Sequence, residues 1–257
     1  MVRLEYDGRL AVMTLDRPPA NTFDEEQLEA LAAAVSELEA GSRAGALLLR
    51  GEGPRFSAGA DISMIATRFG TPDGADRMAD FAGGLQVLFA RIESLPIPSV
   101  AAIRGAATGG GLELALACDL RVAAEDARLG LPEVKIGLVP GAGGSQRLTR
   151  LVGPAVALRV ILRAELLSGS EAQRLGVVQW AVPAAEVDSF ARTLAEELAG
   201  MSGPALAATK RCIAAFGSGH GFETEIEVTR SLMGEPVTAQ LVGAFLDRRR
   251  IIKEEAS

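Results

Sequence analysis

Residues 106–119 read Ala-Ala-Thr-Gly-Gly-Gly-Leu-Glu-Leu-Ala-Leu-Ala-Cys-Asp, and they constrain the fold more than any other stretch. The run Gly109, Gly110, Gly111 stands where a strand over 99–103 gives way to a helix. A helix start offers backbone N–H groups without intrahelical acceptors, together with the positive end of the macrodipole. Glycine there lets another group approach the backbone closely. Glu113 lies three positions after Gly110, on the same helix face, with Leu112, Leu114 and Leu116 around it. Two readings stay open from this stretch alone. One is a tight helix–strand contact with a first-turn acid favoured by the dipole. The other is an anion-stabilising site with a carboxyl beside it, perturbed by apolar surroundings.

Composition removes several function classes. The 257 residues are 48% hydrophobic and 23% charged, enough for a large core. A net charge of -7 and the lack of any long basic stripe argue against a nucleic-acid partner; Arg248, Arg249 and Arg250 form only a short cluster. Two cysteines, Cys118 and Cys212, and one histidine, His220, leave neither a disulfide framework nor a His/Cys metal site, so no metal is expected. No apolar run has transmembrane length, and the first residues resemble neither a signal nor a transit peptide, so a cytoplasmic setting is expected. The bias of arginine over Lys135, Lys210 and Lys253, with the richness in alanine, points to a GC-rich bacterial genome.

In chain order, residues 2–6 and 10–15 read as strands joined at Asp7-Gly8, and Asp24 caps a helix carrying Leu28, Leu31, Val35 and Leu38 on one face. A buried strand over 46–50 leads to Phe56-Ser57-Ala58-Gly59-Ala60-Asp61-Ile62, where small residues expose backbone and Asp61 caps another helix. Residues 64–84 are broken by Gly70, Pro72, Gly74 and Gly83-Gly84, as lids and pocket walls are. Pro132 suits the start of a short helix containing Glu133, and Gly141 to Gly144 open another. Further strands are expected over 120–123, 127–129 and 177–182, and helical periodicity runs through most of the chain after Pro154. The pattern is an α/β core over 1–200 and a helical region over 201–257, with no internal sequence repeat. No P-loop, dinucleotide fingerprint or G-x-S-x-G elbow is present.

Three segments together resemble the crotonase family, and within it the enoyl-CoA hydratases: residues 56–62, the run from Gly105 to Glu113 with Cys118-Asp119, and residues 131–147, Leu-Pro-Glu-Val-Lys-Ile-Gly-Leu-Val-Pro-Gly-Ala-Gly-Gly-Ser-Gln-Arg. The resemblance implies a spiral of β-β-α turns with a C-terminal helical region that builds trimers, often paired into hexamers. It implies an acyl-CoA thioester as substrate, CoA being part of the substrate and no other cofactor being needed. It places an oxyanion hole on the N–H groups of Ala58 and Gly110, and CoA contacts on Ala58, Gly59, Ala60, Asp61 and Ile62. It gives a water contact to Gly141 and the two catalytic carboxyls to Glu113, as base, and Glu133, as proton donor. Met64, Ile65 and Phe69, next along the chain, are expected to wall the acyl pocket. Arg104, Ala106 and Thr108 depart from the family's usual asparagine, tyrosine and larger apolar residue. The competing readings are a double-bond isomerase on the same scaffold, which often keeps only the Glu133 position, and a non-catalytic acyl-CoA binder, which would lack the glutamates.

Overall fold

The computed structural model describes residues 1–41 and 43–255, excepting the side chains of 250–255. By internal contacts it divides into two compact units, Met1–Ala199 and Gly200–Ser257.

The first unit is built on a six-stranded sheet in the order β1-β2-β3-β4-β6-β8. β1 (Val2–Asp7) pairs antiparallel with β2 (Leu10–Leu15); every later pairing is parallel, through β3 (Ala46–Gly51), β4 (Ser99–Ile103), β6 (Leu120–Ala124) and β8 (Trp180–Val182). β2 and β4 are buried at every position, which is why they read as unbroken apolar runs and not as alternating ones. A second layer pairs β5 (Ala106–Thr108) with β7 (Arg128–Gly130), extended by the bridges Phe23–Ala60, Ser57–Ala107 and Leu129–Leu167. Each turn of the chain therefore contributes a strand to the large sheet, a short piece to the small one, and a helix.

The helices follow from their caps and buried faces. Asp24 accepts the Gln27 N–H at 2.9 Å and starts α1 (Glu25–Glu39). Asp61 accepts from Ser63 and Met64 at 2.8 and 3.2 Å and starts α2 (Ile62–Ala66). α3 runs unbroken over Gly74–Ser94, through the Gly83-Gly84 pair that the sequence reading takes as a break. Two glycines cost about 1 kcal/mol each in a helix. Burial of Phe81, Leu85, Leu88, Phe89 and Ile92 on one face returns ~1.5–3 kcal/mol per side chain and decides the matter. The expected strand over 177–182 shortens to Trp180–Val182, the part that pairs with β6. α4 (Gly110–Ala117) is buried at all its residues. After a one-turn 3-10 helix (Glu133–Ile136) come α5 (Gly144–Leu162), kinked at Gly153-Pro154, then α6 (Gly169–Arg174) and α7 (Val187–Gly200).

The second unit holds α8 (Gly203–Ala214), α9 (Gly221–Met233) and α10 (Pro236–Glu255). Only Ala208 and Val228 are buried among the apolar residues of its described side chains, while Ile213, Phe216, Phe222, Ile226, Met233 and Phe245 are exposed. No described helix is long and apolar enough to cross a membrane.

Candidate active site

Glu113 is the one charged residue in a helix otherwise made of Gly, Leu and Ala, and it is 3% exposed. A carboxylate so placed needs donors. They come from the loop leading into α5: the N–H groups of Ala142 and Gly144 donate to Glu113 Oε1 at 2.8 and 2.7 Å. Burial raises the Glu113 carboxyl above the usual range; those two N–H groups and the Arg147 charge oppose the rise.

Glu133 reaches the same place by strand pairing. Thr108 is in register with Gly130, and the Gly109 N–H donates to Gly130 O at 3.0 Å, so the chain beyond β7 runs beside the start of α4. A methyl group on Gly109 would lie 3.1 Å from Glu133 Oε1. Glu133 Oε2 is buried and has no hydrogen-bond partner. Burial first, and then the Glu113 charge, push this carboxyl up to about 7, so near neutrality it holds a proton about half the time.

Between these carboxyls and residues 58–61 the backbone presents unpaired donors. Gly110 begins α4 and its N–H has no intrahelical acceptor. The expectation for Ala58 does not fit the geometry: its N–H donates to Ala20 O at 2.9 Å. The Gly59 N–H goes to Ser57 Oγ at 3.1 Å and the Asp61 N–H to Phe23 O at 2.8 Å. The Ala60 N–H has no acceptor among the described residues, and the Ala60 nitrogen would stand 3.6 Å from a methyl group on Gly110. The physical reason is Gly59, whose φ of +85° breaks the alternation of an extended strand, so the two alanines flanking it turn their N–H groups differently. Nothing larger fits at Gly59, since a Cβ would lie 2.7 Å from the Gly110 nitrogen. The pair of free donors is therefore Ala60 and Gly110.

The other expected residues divide. Asp61 is half-buried; although burial opposes it, N–H bonds from Met64 and Ser63, the Thr22 hydroxyl and the Arg17 guanidinium hold its carboxyl below the usual range. Its carboxylate is thus occupied by helix capping. Ile62 is exposed. Met64 packs partly buried against the core and Ile65 is buried, whereas Phe69 is 70% exposed and stands apart from them. Gly141 accepts from Gln86 Nε2 at 2.6 Å through its carbonyl, and its N–H has no acceptor among the described residues. Arg104 turns away to Gly53 O and Asp188, while Thr108 lies against Ala58 O, so of the departures Thr108 borders the site and Arg104 does not. The sequence reading gives the loop a water contact at Gly141 and misses Ala142, Gly144, Gln86 and Arg147, which hold Glu113 or hold the loop.

Two carboxyls, one near half-protonation, beside two convergent N–H donors form a site suited to moving protons next to a developing oxyanion. The enoyl-CoA hydratase/isomerase family model matches residues 5–249, and the chain belongs to that family of enzymes. A probable enoyl-CoA hydratase of Bacillus subtilis is 39% identical over 254 residues, covering 97% of this chain and 96% of that protein. The short-chain-enoyl-CoA hydratase of Clostridium acetobutylicum is 35% identical, with 97% and 96% covered. Among solved structures, an enoyl-CoA hydratase from Bacillus anthracis superposes with a TM-score of 0.90 at 30% identity, covering 96% of each chain. Pseudomonas aeruginosa DspI does so with 0.88 at 37%, covering 96% of this chain and 94% of that one. The β-β-α spiral is thus the crotonase fold.

Proposed function

We propose that the protein hydrates 2-enoyl-CoA thioesters, adding water across the 2,3 double bond. The observation that carries the reading is the pairing of Glu113, aimed by two backbone N–H groups, with Glu133, a carboxyl at about 7 with an unpartnered oxygen. The thioester oxygen is held by the N–H groups of Ala60 and Gly110. As water attacks C3, negative charge moves onto that oxygen, and each preorganised donor is typically worth ~10²–10³ in rate. Glu113 takes the proton from water, which the Gly141 N–H, next in the chain to the Ala142 donor, orients. Glu133 delivers its proton to C2 as the enolate collapses. No metal or separate cofactor enters these steps.

The test follows loss of the conjugated-thioester absorbance with wild type, Glu113→Gln and Glu133→Gln. Either variant should lose ~10²–10⁴-fold or more, and the double variant should be little worse than the worse single one. Severe loss only in Glu133→Gln, with 3-enoyl-CoA consumed faster than 2-enoyl-CoA is hydrated, would replace hydration by isomerisation. Acyl-CoA binding without any turnover would replace both by a binding role.

A further inference from the structure

The loop that aims Glu113 is itself held from its other side. Arg147, on the first turns of α5, donates from Nη1 to Ala142 O at 3.0 Å. The Ala142 N–H is one of the two that hold Glu113. Arg147 Nε donates to Glu93 on α3 at 3.0 Å, and Glu93 also pairs with Arg150. Gln86, two turns before Glu93 on α3, donates to Gly141 O. The Arg147 side chain is 10% exposed, although a cavity of about 570 Å³ opens beside it, lined by Gln86, Glu93, Pro140, Gly143 and Arg150 among others. Residues 141–144 are thus held from α3 and α5, with the Ala142 and Gly144 N–H groups turned to Glu113.

We propose that Arg147 is a positioning residue: it grips the outer face of the loop whose N–H groups hold Glu113, and so keeps that carboxylate both aimed and charged. The charged groups around Glu113 are few. Glu133 faces it from the 3-10 turn, and α4 offers nothing else. Arg147 from α5 is the cation that stabilises the Glu113 carboxylate. Glu93, the anion behind Arg147 on α3, keeps Arg150 as a partner if Arg147 is removed. The inference rests on Glu113 acting as the base.

Arg147→Met removes the charge and the grip; Arg147→Lys keeps the charge and loses the two-sided fork. The acidic limb of kcat/KM against pH should move upward in Arg147→Met, because a carboxyl without its cation holds its proton to higher pH. Each unit of that shift costs about tenfold at low pH and little above it. Arg147→Lys should keep the limb where it is and lower kcat with little change in KM. A second readout needs no turnover: carbon-13 NMR of glutamate-labelled protein, with Glu113→Gln assigning the resonance, should show the Glu113 titration moving upward in Arg147→Met. Equal loss at every pH, with an unmoved Glu113 titration, would overturn the proposal. If wild type does not hydrate at all, the functional reading fails while the NMR shift still decides the clamp. Should Arg147→Met not fold, Arg147→Gln makes the same charge change with hydrogen-bonding capacity retained.

Discussion

At the scale of single residues, Glu133 sets the pH behaviour. Its carboxyl stands at about 7 in the folded chain, against 4.5 ordinarily. The proposed role of proton donor requires it protonated, so kcat/KM should fall as pH rises through about 7, which a pH–rate profile of the wild type checks. The same shift has a stability consequence. The folded chain holds the proton more tightly than the unfolded one, so its contribution is fully present below pH 4.5 and is lost as pH rises through about 7. Glu133→Gln should therefore raise the melting temperature at pH 8, with the gain vanishing near pH 4.5; calorimetry at the two values measures it. The donor pair is testable one atom at a time. Replacing the amide at residue 60 by an ester, which deletes the N–H and weakens the Gly59 carbonyl that accepts from Phe23, should cost ~10²–10³ in turnover. The same change at residue 58 removes a hydrogen bond to Ala20 and should cost only about 1 kcal/mol of stability. Glu113 stood out in the sequence because a carboxyl among leucines beside a glycine run is unusual, whereas Glu133 entered as a site residue only through the family resemblance. Ala58 and Ala60 were not separable, because two alanines flanking a glycine differ only in where the backbone turns.

At the scale of elements, what reads clearly is what is long and uniformly buried. β2, β4 and α4 announce themselves as apolar runs, and Asp24 and Asp61 announce the helices they cap. The small sheet does not announce itself. Its pieces are one to three residues long, and Phe23–Ala60 or Ser57–Ala107 have no periodicity to detect. That layer makes each turn of the backbone resemble the last while the sequence shows no repeat. It also brings Glu133 to Gly109, so the meeting of the two carboxyls was legible only through family resemblance. α2 and the turn that follows it carry the substrate-range prediction. Met64→Ala should shift preference toward longer acyl chains while sparing the shortest substrate, because Met64 packs inward after the Ala60 donor. Phe69→Ala should leave the preference profile unchanged, since Phe69 faces outward. Rates across enoyl-CoAs of increasing length distinguish the two.

At the scale of the molecule, the second unit has too little buried apolar surface for its size. Phe216 and Phe222 are 89% and 87% exposed, and α8 and α9 together bury only Ala208 and Val228. Surfaces of that kind are covered by association, and a trimer or a pair of trimers is the expected state; light scattering at micromolar concentration should show no monomer. A different consequence follows from the order in which the ribosome supplies the pieces. The Gly144 N–H that holds Glu113 lies 31 residues further along the chain. At synthesis rates of about 5–20 residues per second, α4 waits roughly 2–6 s for it. During that interval the nascent helix carries a carboxylate with no donors, and sealing it into the growing interior costs several kcal/mol unless it first takes up a proton. That carboxylate thus also times assembly: α4 is not free to be sealed in for good until the loop before α5 has arrived.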